Sequence, residues 1–384
     1  SALGRLACAR GNSHRLNQFA VILFGLGLMA FPMIAANAES NEVYLDDTHD
    51  ILDSGIDVEV VSGNFGYEEY QRIPYVFFFS EPADGEALAL DTRNASFIVA
   101  NSQNASPVEG YECDEGSLPT NKYPIKLYND DMVYFVGGIV NGEISQTADW
   151  DYIYNTAAGN SCNSAVILFR ESPDSLVDGV RITSAWDGIR PSRNTEDLVI
   201  KNTWFSNVRD DAVENDDGEN LVFEDNLVDG AFHAISITAD APGNTIEVHG
   251  NVIRISEYLY KGRQQYGALF KNASSSPASI IEDTVVAVDY KGGSTWSHYW
   301  EKSWSKIESC SNNLFLWMSD DPIPSNVGTP PACFTILTGT EAEDKWEEVK
   351  QNWIDCHPKV ARTPSDPASN PEQCVADTFG GYSR

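Results

Sequence analysis

The stretch that decides the fold is a set of four hexapeptides that line up position for position: WDGIRP at 186–191, DDAVEN at 210–215, FHAISI at 232–237 and YGALFK at 266–271. Each carries a small residue at its third position and an aliphatic one at its fourth. Their starts lie 24, 22 and 34 residues apart. Short β-rich segments that recur at such an interval, with turn residues between them, are typical of a stacked β-solenoid.

A second column of repeats supports this prediction. It consists of LVIKNTWF from Leu198, LVFEDNLV from Leu221 and IEVHGNVI from Ile246, which begin 23 and 25 residues apart. Apolar and polar residues alternate within these segments, as expected of strands with one face in a core. We therefore predict an all-β solenoid of parallel strands.

The ends of the chain differ from its repetitive middle. Residues 1–38 combine three arginines, an apolar stretch and the A-x-A motif at 36–38, so we expect a cleaved signal peptide rather than a membrane anchor. Residues 39–131 are predicted to form an N-terminal cap and entry turns, residues 132–335 the β-helix core, and residues 336–384 a C-terminal capping helix and tail. The predicted location is extracellular or periplasmic.

The C-terminal helix is predicted from a capping box and an apolar stripe. Thr340 and Glu343 have the spacing of the box, and Trp346, Val349 and Trp353 lie on one helical face. Since a solenoid exposes the edge of its last turn, we expect this helix to cover that end.

The composition limits the classes of binding partner that this protein can have. The chain has 25 basic and 57 acidic residues, a net charge of −32, which disfavours nucleic acid and anionic membranes. We expect a monomer without stable membrane insertion. Six cysteines follow the signal region, and their pairing is open: Cys113, Cys162, Cys310, Cys333, Cys356 and Cys374. Asn94, Asn104 and Asn272 lie in sequons, which matter only if the source organism glycosylates.

Stacking would bring acidic residues of successive turns together. Asp187, Asp210 and Asp211, followed by His233 and Lys271 on the next turns, are expected to form a patch on the outer, solvent-facing side of one sheet, with turns roughly 4.8 Å apart. Carboxylates this close cannot all ionise easily, so at least one pKa should rise. A protonated carboxyl beside ionised ones is what glycosidic bond cleavage requires.

Other interpretations of these residues stay open. Asp, Asn and Gly are common at turns of a solenoid, so the aspartates can simply stabilise turns. Arg190 and Glu214, one turn apart, are most simply an ion pair. In a lyase, Arg190 or Lys271 would be the base and Asp211, Glu214 and Asp216 would hold Ca²⁺.

The run from Trp186 to Lys271 resembles the catalytic stretch of the polygalacturonase family of glycoside hydrolases, which are right-handed parallel β-helices. The family motifs are an Asn-Thr-Asp followed by Gly, an Asp-Asp pair, a Gly-His-Gly and an Arg-x-Lys. Here Asp187-Gly188, Asp210-Asp211, His233 and Lys271 match in order and spacing. The resemblance implies Asp210 as general acid, Asp187 and Asp211 as activators of water in an inverting reaction, His233 as support for the acid, and Lys271 as a ligand of the substrate carboxylate.

The chain departs from the family pattern at several positions. Ala185-Trp186 replaces Asn-Thr, Phe232 and Ala234 replace the glycines around the histidine, and Leu269 stands in place of the arginine. Candidates to take the role of that arginine are Arg190, or Lys261 and Arg263 in the inserted segment at 255–266. Aromatic candidates for sugar contact are Trp186, which either stacks on a sugar or packs, Tyr266, and the tryptophan-rich insertion at 290–308.

The sequence therefore predicts a secreted enzyme that hydrolyses a polysaccharide, acidic sugars included. The alternatives are a polysaccharide lyase and a non-catalytic β-helical glycan-binding protein or adhesin. No cofactor is expected for the hydrolase, whereas Ca²⁺ would accompany the lyase.

Overall fold

A computed structural model describes residues 57–65, 77–80, 87–98, 123–128, 131–154 and 164–375. The predicted signal region at 1–38, together with Asn104, Cys113 and Cys162, lies outside these residues. Among the described residues, no helix is both long and apolar enough to cross a bilayer.

The backbone winds into a coil with three faces, each a ladder of parallel strands. Face 1 contains β2 (Phe77–Ser80), β4 (Ile125–Tyr128), β7 (Ala165–Arg170), β10 (Asp187–Ser192), the second halves of β12 (Trp204–Glu214) and β14 (Leu227–Ile237), and β19 (Ala268–Asn272). Face 2 contains β5 (Val133–Val136), β8 (Leu176–Asp178), β11 (Leu198–Lys201), β13 (Leu221–Glu224), β15 (Thr245–His249), β20 (Ala278–Glu282) and β23 (Ile307–Ser311).

Face 3 completes each turn. It contains β6 (Ile139–Asn141), β9 (Arg181–Thr183), the first halves of β12 and β14, β16 (Val252–Ile255), β21 (Val285–Val288), β24 (Asn313–Trp317) and β25 (Phe334–Thr338). The long strands β1 (Asp57–Phe65) and β3 (Leu88–Ile98) pair with each other, and β3 continues into faces 2 and 3. The entry turns are thus part of the same coil.

Other elements stand outside the coil. They are the antiparallel hairpin of β17 (Glu257–Tyr260) and β18 (Arg263–Tyr266), the short strand β22 (Thr295–Trp296), the helices α1 (Trp150–Tyr152), α2 (Tyr299–Ser305) and α3 (Gly339–Cys356), and 3-10 turns at Ser325–Val327 and Pro371–Gln373.

The predicted register is confirmed for three of the four hexapeptides. Ile189 pairs with Val213, and Val213 with Ile235. The second column is confirmed throughout, since Leu198, Leu221 and Ile246 pair in order. The register predicted for the fourth hexapeptide is wrong by one residue, because His233 pairs with Ala268 and not with Gly267. The hairpin inserted ahead of β19 removes the fixed spacing on which the alignment depended.

The corner between faces 2 and 3 explains the regular polar residues of the repeats. A left-handed residue occurs there in five successive turns, with φ between 49° and 65°: Asn202, Asp225, Gly250, Asp283 and Asn312. The residue after each one is buried and forms a ladder: Thr203, Asn226, Asn251, Thr284 and Asn313. In this ladder the backbone N–H of Asn226 donates to Asn251 Oδ1 at 2.9 Å. Side-chain amides of the ladder thus accept backbone N–H groups of the neighbouring turn.

The interior of the coil is apolar, as the alternation predicts. One continuous cluster of buried side chains runs from Leu88 to Phe334 and includes Ile189, Val213 and Ile235. Burial of each aliphatic side chain contributes about 1.5–3 kcal/mol. The inward side chains of all three faces contribute to this core.

The C-terminal helix is present, but two details predicted for it are wrong. Its N-cap is Thr338, which makes no side-chain capping bond, so Thr340 and Glu343 lie inside the helix. It also lies along the outside of face 3 instead of across the last turn. Trp346, Val349 and Trp353 pack on a row of outward apolar residues from successive turns: Leu227, Val252, Val285 and Leu316. Because face 3 is apolar on its outer side too, it requires a cover along its length.

Two disulfides lie near the C-terminus, Cys310–Cys333 and Cys356–Cys374. The second joins the end of α3 to the tail. Of the sequon residues described, Asn94 is exposed, whereas Asn272 is buried and donates to the carbonyl of Lys302.

Candidate active site

Insertions at the corner between faces 3 and 1 frame one part of face 1. The first is the strap, defined here as residues 142–154, which includes α1 and precedes β7. The second is the hairpin, which precedes β19, and the third is the segment that carries β22 and α2. The strands β10, β12 and β14 lie between the first two, and they carry the predicted catalytic residues.

A β-bulge in β12 brings two adjacent aspartates to the same histidine. Val208 pairs with Ala231 and Asp211 with His233, so β12 has one residue more than β14 between these pairs. Neighbouring residues of a regular strand point to opposite sides, and a bulge changes that direction. As a result, His233 Nδ1 lies 2.9 Å from Asp211 Oδ1 and 3.6 Å from Asp210 Oδ1.

Two carboxylates raise the pKa of His233. Burial alone would lower this pKa, but the neighbouring Asp210 and Asp211 outweigh burial. Burial likewise would raise the pKa of Asp210, yet Lys271, His233 and Trp150 lower it below its ordinary value. The two shifts favour the charged forms of Asp210 and His233.

Asp187 lies on the preceding turn, and its pKa is shifted in the opposite direction from that of Asp210. Its Oδ1 accepts the backbone N–H of Asp211 at 2.9 Å. Burial, and then repulsion from Glu214, Asp210 and Asp211, raises the pKa of Asp187 well above its usual range. The pKa of the neighbouring Glu214 is also raised by burial, to about 7. The pair thus holds a proton near neutral pH.

Lys271 comes from β19 and reaches across one turn. Its Nζ lies 2.9 Å from Asp211 Oδ2. Burial disfavours the charged amine, but Asp211 and Asp210 raise the pKa of Lys271 well above its usual range. Lys271 is consequently a fixed positive charge.

The ion pair predicted between Arg190 and Glu214 is present, with Nη1 and Oε1 3.1 Å apart. The same guanidinium lies 4.0 Å from Asp216. Asp216 also accepts the hydroxyls of Ser236 and Thr238. Lys271 and these hydroxyls overcome the effect of burial and lower the pKa of Asp216 to about 2.

The expectation of a solvent-facing patch is wrong. Asp187, Asp210, Asp211 and His233 do converge on one face, but they are buried, with Asp211 0% and Asp187 1% exposed. The strap and the hairpin cover them. Only the edge reaches solvent, where the side chains of Lys271 and Asp216 are 22% and 23% exposed.

Two residues of the strap escaped the sequence analysis. Trp150 donates its indole N–H to Asp210 Oδ2 at 2.9 Å. Asp149 accepts the backbone N–H groups of Lys261 and Gly262, at 2.9 and 2.6 Å, and so ties the strap to the tip of the hairpin. The strap lies outside every repeat, so periodicity gave no signal for it.

Arg209 in the bulge was also missed. It is fully buried, donates to the carbonyls of Ala148 and Leu259, and stacks on the Tyr258 ring with its Cζ 4.3 Å from the ring centroid. The arginine thus holds both covering segments. The signal available was an arginine directly before an Asp-Asp pair.

Four residues predicted to bind substrate have other positions. Trp186 is fully buried and packs with Ile144 and Ile153. Tyr266 is also buried, stacks on Trp296 and donates to the carbonyl of Asp289. Lys261 and Arg263 are exposed at the tip of the hairpin, where the Lys261 ammonium lies 5.6 Å from the centroid of the Trp150 ring. Tyr266 points inward because the register of its hexapeptide is shifted by one residue.

The tryptophan-rich insertion is largely core. Trp300 is fully buried and Trp304 nearly so, and both lie in the main apolar cluster. Tyr299 approaches the site, with its ring centroid 5.8 Å from that of His233.

Asp210, Asp211 and His233 have donor atoms within 4.8 Å of one another, the only group of this kind among the described residues that suits a metal ion. Their mixed oxygen and imidazole donors match transition metals better than Ca²⁺. However, Lys271 and Trp150 already occupy the second oxygens of the two aspartates. The ammonium of Lys271 therefore provides, beside Asp211, the positive charge that a metal ion would otherwise supply.

Comparison with known proteins agrees with the fold. The sequence model of a family described as a right-handed β-helix region matches residues 138–253, which include β10, β12 and β14. No curated protein and no solved structure matches the chain. From the parallel pairing on all three faces and this match, the chain is a right-handed parallel β-helix with a helix near its C-terminus.

Proposed function

We propose that this protein hydrolyses glycosidic bonds of a polysaccharide, with the buried cluster on face 1 as its active site. The observation that carries the proposal is the opposite ionisation of adjacent carboxyls. Asp187 has a raised pKa and Asp210 a lowered one, within one cluster. A proton donor beside an ionised carboxylate is the requirement for acid-base cleavage of a glycoside.

The pKa directions suggest roles that differ from those implied by the family resemblance. A general acid must hold its proton at the working pH, and Asp187 does so more readily than Asp210. We assign proton donation to Asp187, with Glu214 as the group that shares its proton. Asp210 or Asp211 would then activate water, and His233 orients both carboxylates.

Charge at the open edge favours an acidic sugar. Lys271 keeps its proton and is partly exposed, whereas Arg190 is buried and paired with Glu214. A substrate carboxylate approaching this edge would meet the Lys271 ammonium, in a protein whose net charge is otherwise strongly negative.

A lyase is less well supported, because elimination needs a neutral base. The raised pKa of Lys271 keeps it protonated, and Arg190 is paired with Glu214. Asp211, Glu214 and Asp216, the acids considered for Ca²⁺, already have cationic or hydroxyl partners.

A non-catalytic glycan-binding protein is the second candidate, and one observation favours it. Lys271, His233 and Arg190 each face a carboxylate, so the buried charges are largely balanced without a ligand. Such a network can serve to fix the packing of adjacent turns.

The test is incubation of the purified protein with pectic, alginate and sulfated polysaccharides, with and without chelator. Hydrolysis is expected to release reducing ends without the ultraviolet absorbance of an unsaturated sugar, and chelator should have no effect. Release of unsaturated products with a Ca²⁺ requirement would establish the lyase instead. Retention of a glycan without any product would establish the binding protein.

A further inference from the structure

We infer that the space filled by the Trp150 indole is a sugar-binding subsite, which the strap occupies when no substrate is bound. The kind of ligand, a pyranose ring, rests on the proposed function. The location of the subsite rests on the contacts of Trp150 and on buried donors of Arg209.

The first argument is that Trp150 blocks Asp210. The indole N–H donates to Oδ2, while His233 Nδ1 lies 3.6 Å from Oδ1. Oδ2 of Asp210 is thus engaged inside the protein, and the docked indole stands where a sugar hydroxyl would have to approach this oxygen.

The second argument is that the surroundings of the indole suit a sugar. The ring centroids of Trp186 and Tyr260 lie 5.3 and 5.0 Å from that of Trp150, and Phe232 stacks on Tyr260. Aromatic walls with one buried carboxylate acceptor form the usual environment of a bound pyranose, which offers an apolar face and hydroxyl donors. The indole offers the same combination, a flat apolar ring with one N–H donor.

The third argument comes from Arg209. Its Nη2 donates to the carbonyl of Ala148 in the strap. Its Nε and Nη1 have no hydrogen-bond partner among the described residues, although the side chain is fully buried. Buried donors without partners are costly. The region beside the strap therefore has polar groups that the docked strap does not use.

The fourth argument is that the strap is attached by contacts that can separate. Its helix α1 has three residues, and its hydrogen bonds to the hairpin come from the carboxylate of Asp149 at two backbone amides. The packing of Ile144 and Ile153 on Trp186, and of the Trp150 ring beside Tyr260, would have to open with them. Departure of the strap would expose Trp186 and Tyr260 as walls. It would also free one oxygen of Asp210 for a hydroxyl.

Ligand can bind only to molecules in which the strap has left the subsite. The apparent Kd therefore equals the intrinsic Kd divided by the fraction of such open molecules. Weakening the docked state should therefore strengthen binding. Trp150→Phe keeps an aromatic ring but cannot donate to Asp210, and Asp149→Ala releases the tip of the hairpin. Asp151→Ala, an exposed position two residues from Asp149, is the control.

The experiment measures the Kd of trigalacturonate and of xylotriose, as acidic and neutral probes, by calorimetry. We expect Trp150→Phe and Asp149→Ala to bind at least one probe roughly tenfold more tightly than the wild type, since the bond removed involves a charged acceptor. Asp151→Ala should bind as the wild type does. Unchanged or weaker binding by both variants, or no binding of either probe, would overturn the inference.

Hydrogen exchange separates this inference from the proposed function. Backbone amides of residues 144–154 should exchange faster in wild-type protein saturated with the probe that binds. Faster exchange without turnover would leave the subsite in place and refute hydrolysis. Turnover with weaker binding by Trp150→Phe would support hydrolysis and refute displacement of the strap, because Trp150 would then be a wall of the site.

Discussion

The ammonium of Lys271 lies 2.9 Å from Oδ2 of Asp211, a residue 60 positions earlier in the chain. Asp211 is fully buried, so this cation and His233 are what make its charge tolerable. The pair connects the turns that carry the site, and its removal should affect both stability and ionisation.

Replacement of Lys271 by methionine should lower the free energy of unfolding by about 3 kcal/mol, because a buried carboxylate loses its partner. Urea denaturation measures the change. Lys291→Met is the control, since Lys291 is 62% exposed and 3.8 Å from its acidic partners. An equal effect of both substitutions would show that the Lys271 pair contributes nothing special.

Asp187→Asn and Asp210→Asn should each reduce turnover of the active polysaccharide by at least about 100-fold, as expected for loss of an acid or base group. The control is Asp229→Asn on β14, a carboxylate paired with Arg254 and Lys350 on face 3. Reducing-end assays on folded variants check this. Full activity of Asp187→Asn would rule out its role as proton donor.

The free energy of unfolding should fall as pH rises from about 4.5 to about 7. The pKa of Glu214 is raised to about 7, from 4.5. The folded state therefore binds the proton more strongly, and this stabilisation is present below pH 4.5 and lost by pH 7. One such group contributes at most about 1.4 kcal/mol per pH unit. Glu214→Gln should flatten the profile measured by urea denaturation in this window, and an unchanged slope would contradict the assignment.

His357 should give a second pH effect, at the end of α3. It stacks on Trp353, and its Nε2 lies 3.2 Å from Asp225 Oδ2. Burial opposes its charge, but Asp225 raises the pKa of His357. The stabilisation that charged His357 contributes is complete below the pKa of histidine in the unfolded chain, about 6.5. It disappears as the pH rises through the higher pKa of His357 in the folded protein.

His357→Gln should accordingly cost stability at pH 6 and little at high pH, which thermal unfolding at the two values can measure. His249→Gln, at a partly exposed position on face 2, is the control. A cost that is the same at both pH values would indicate packing alone.

Gly267→Ala should prevent correct folding or lower the free energy of unfolding severely. A Cβ at this position would lie 1.8 Å from the carbonyl oxygen of Phe232, so the backbones of two turns would have to separate. Gly243→Ala, where no atom lies within 4 Å of the added Cβ, should be nearly neutral. Thermal unfolding and circular dichroism compare the two, and a stable Gly267→Ala protein would contradict this close packing.

The sequence predicted the coil because a repeat of the chain is also a repeat in space. Leu198, Leu221 and Ile246 pair as their spacing requires. The prediction failed at Tyr266, where the hairpin changes the interval and a shift of one residue turns the side chain inward. The position of α3 was missed for a related reason, since only the structure shows that Leu227 and Val252 of face 3 point outward.

The candidate site could be predicted only as far as the repeats extend. Asp187, Asp211 and His233 meet because register brings them together. Asp210 joins them through the bulge, which adds one residue and leaves no mark in the hexapeptide pattern. Trp150 and Tyr260, which cover the site, belong to insertions outside the repeats. Their positions depend on tertiary contacts, which the spacing of the repeats does not encode.

The contact of Asp149 with Lys261 and Gly262 links segments that belong to different turns, with β10, β12 and β14 between them. In a stacked fold each turn is held mainly by its two neighbours, so unfolding can start at an end and proceed turn by turn. A bond that bypasses the intervening turns changes this behaviour. The central turns should open together as one cooperative unit, while the turns beyond β19 and before β7 retain independent local fluctuations.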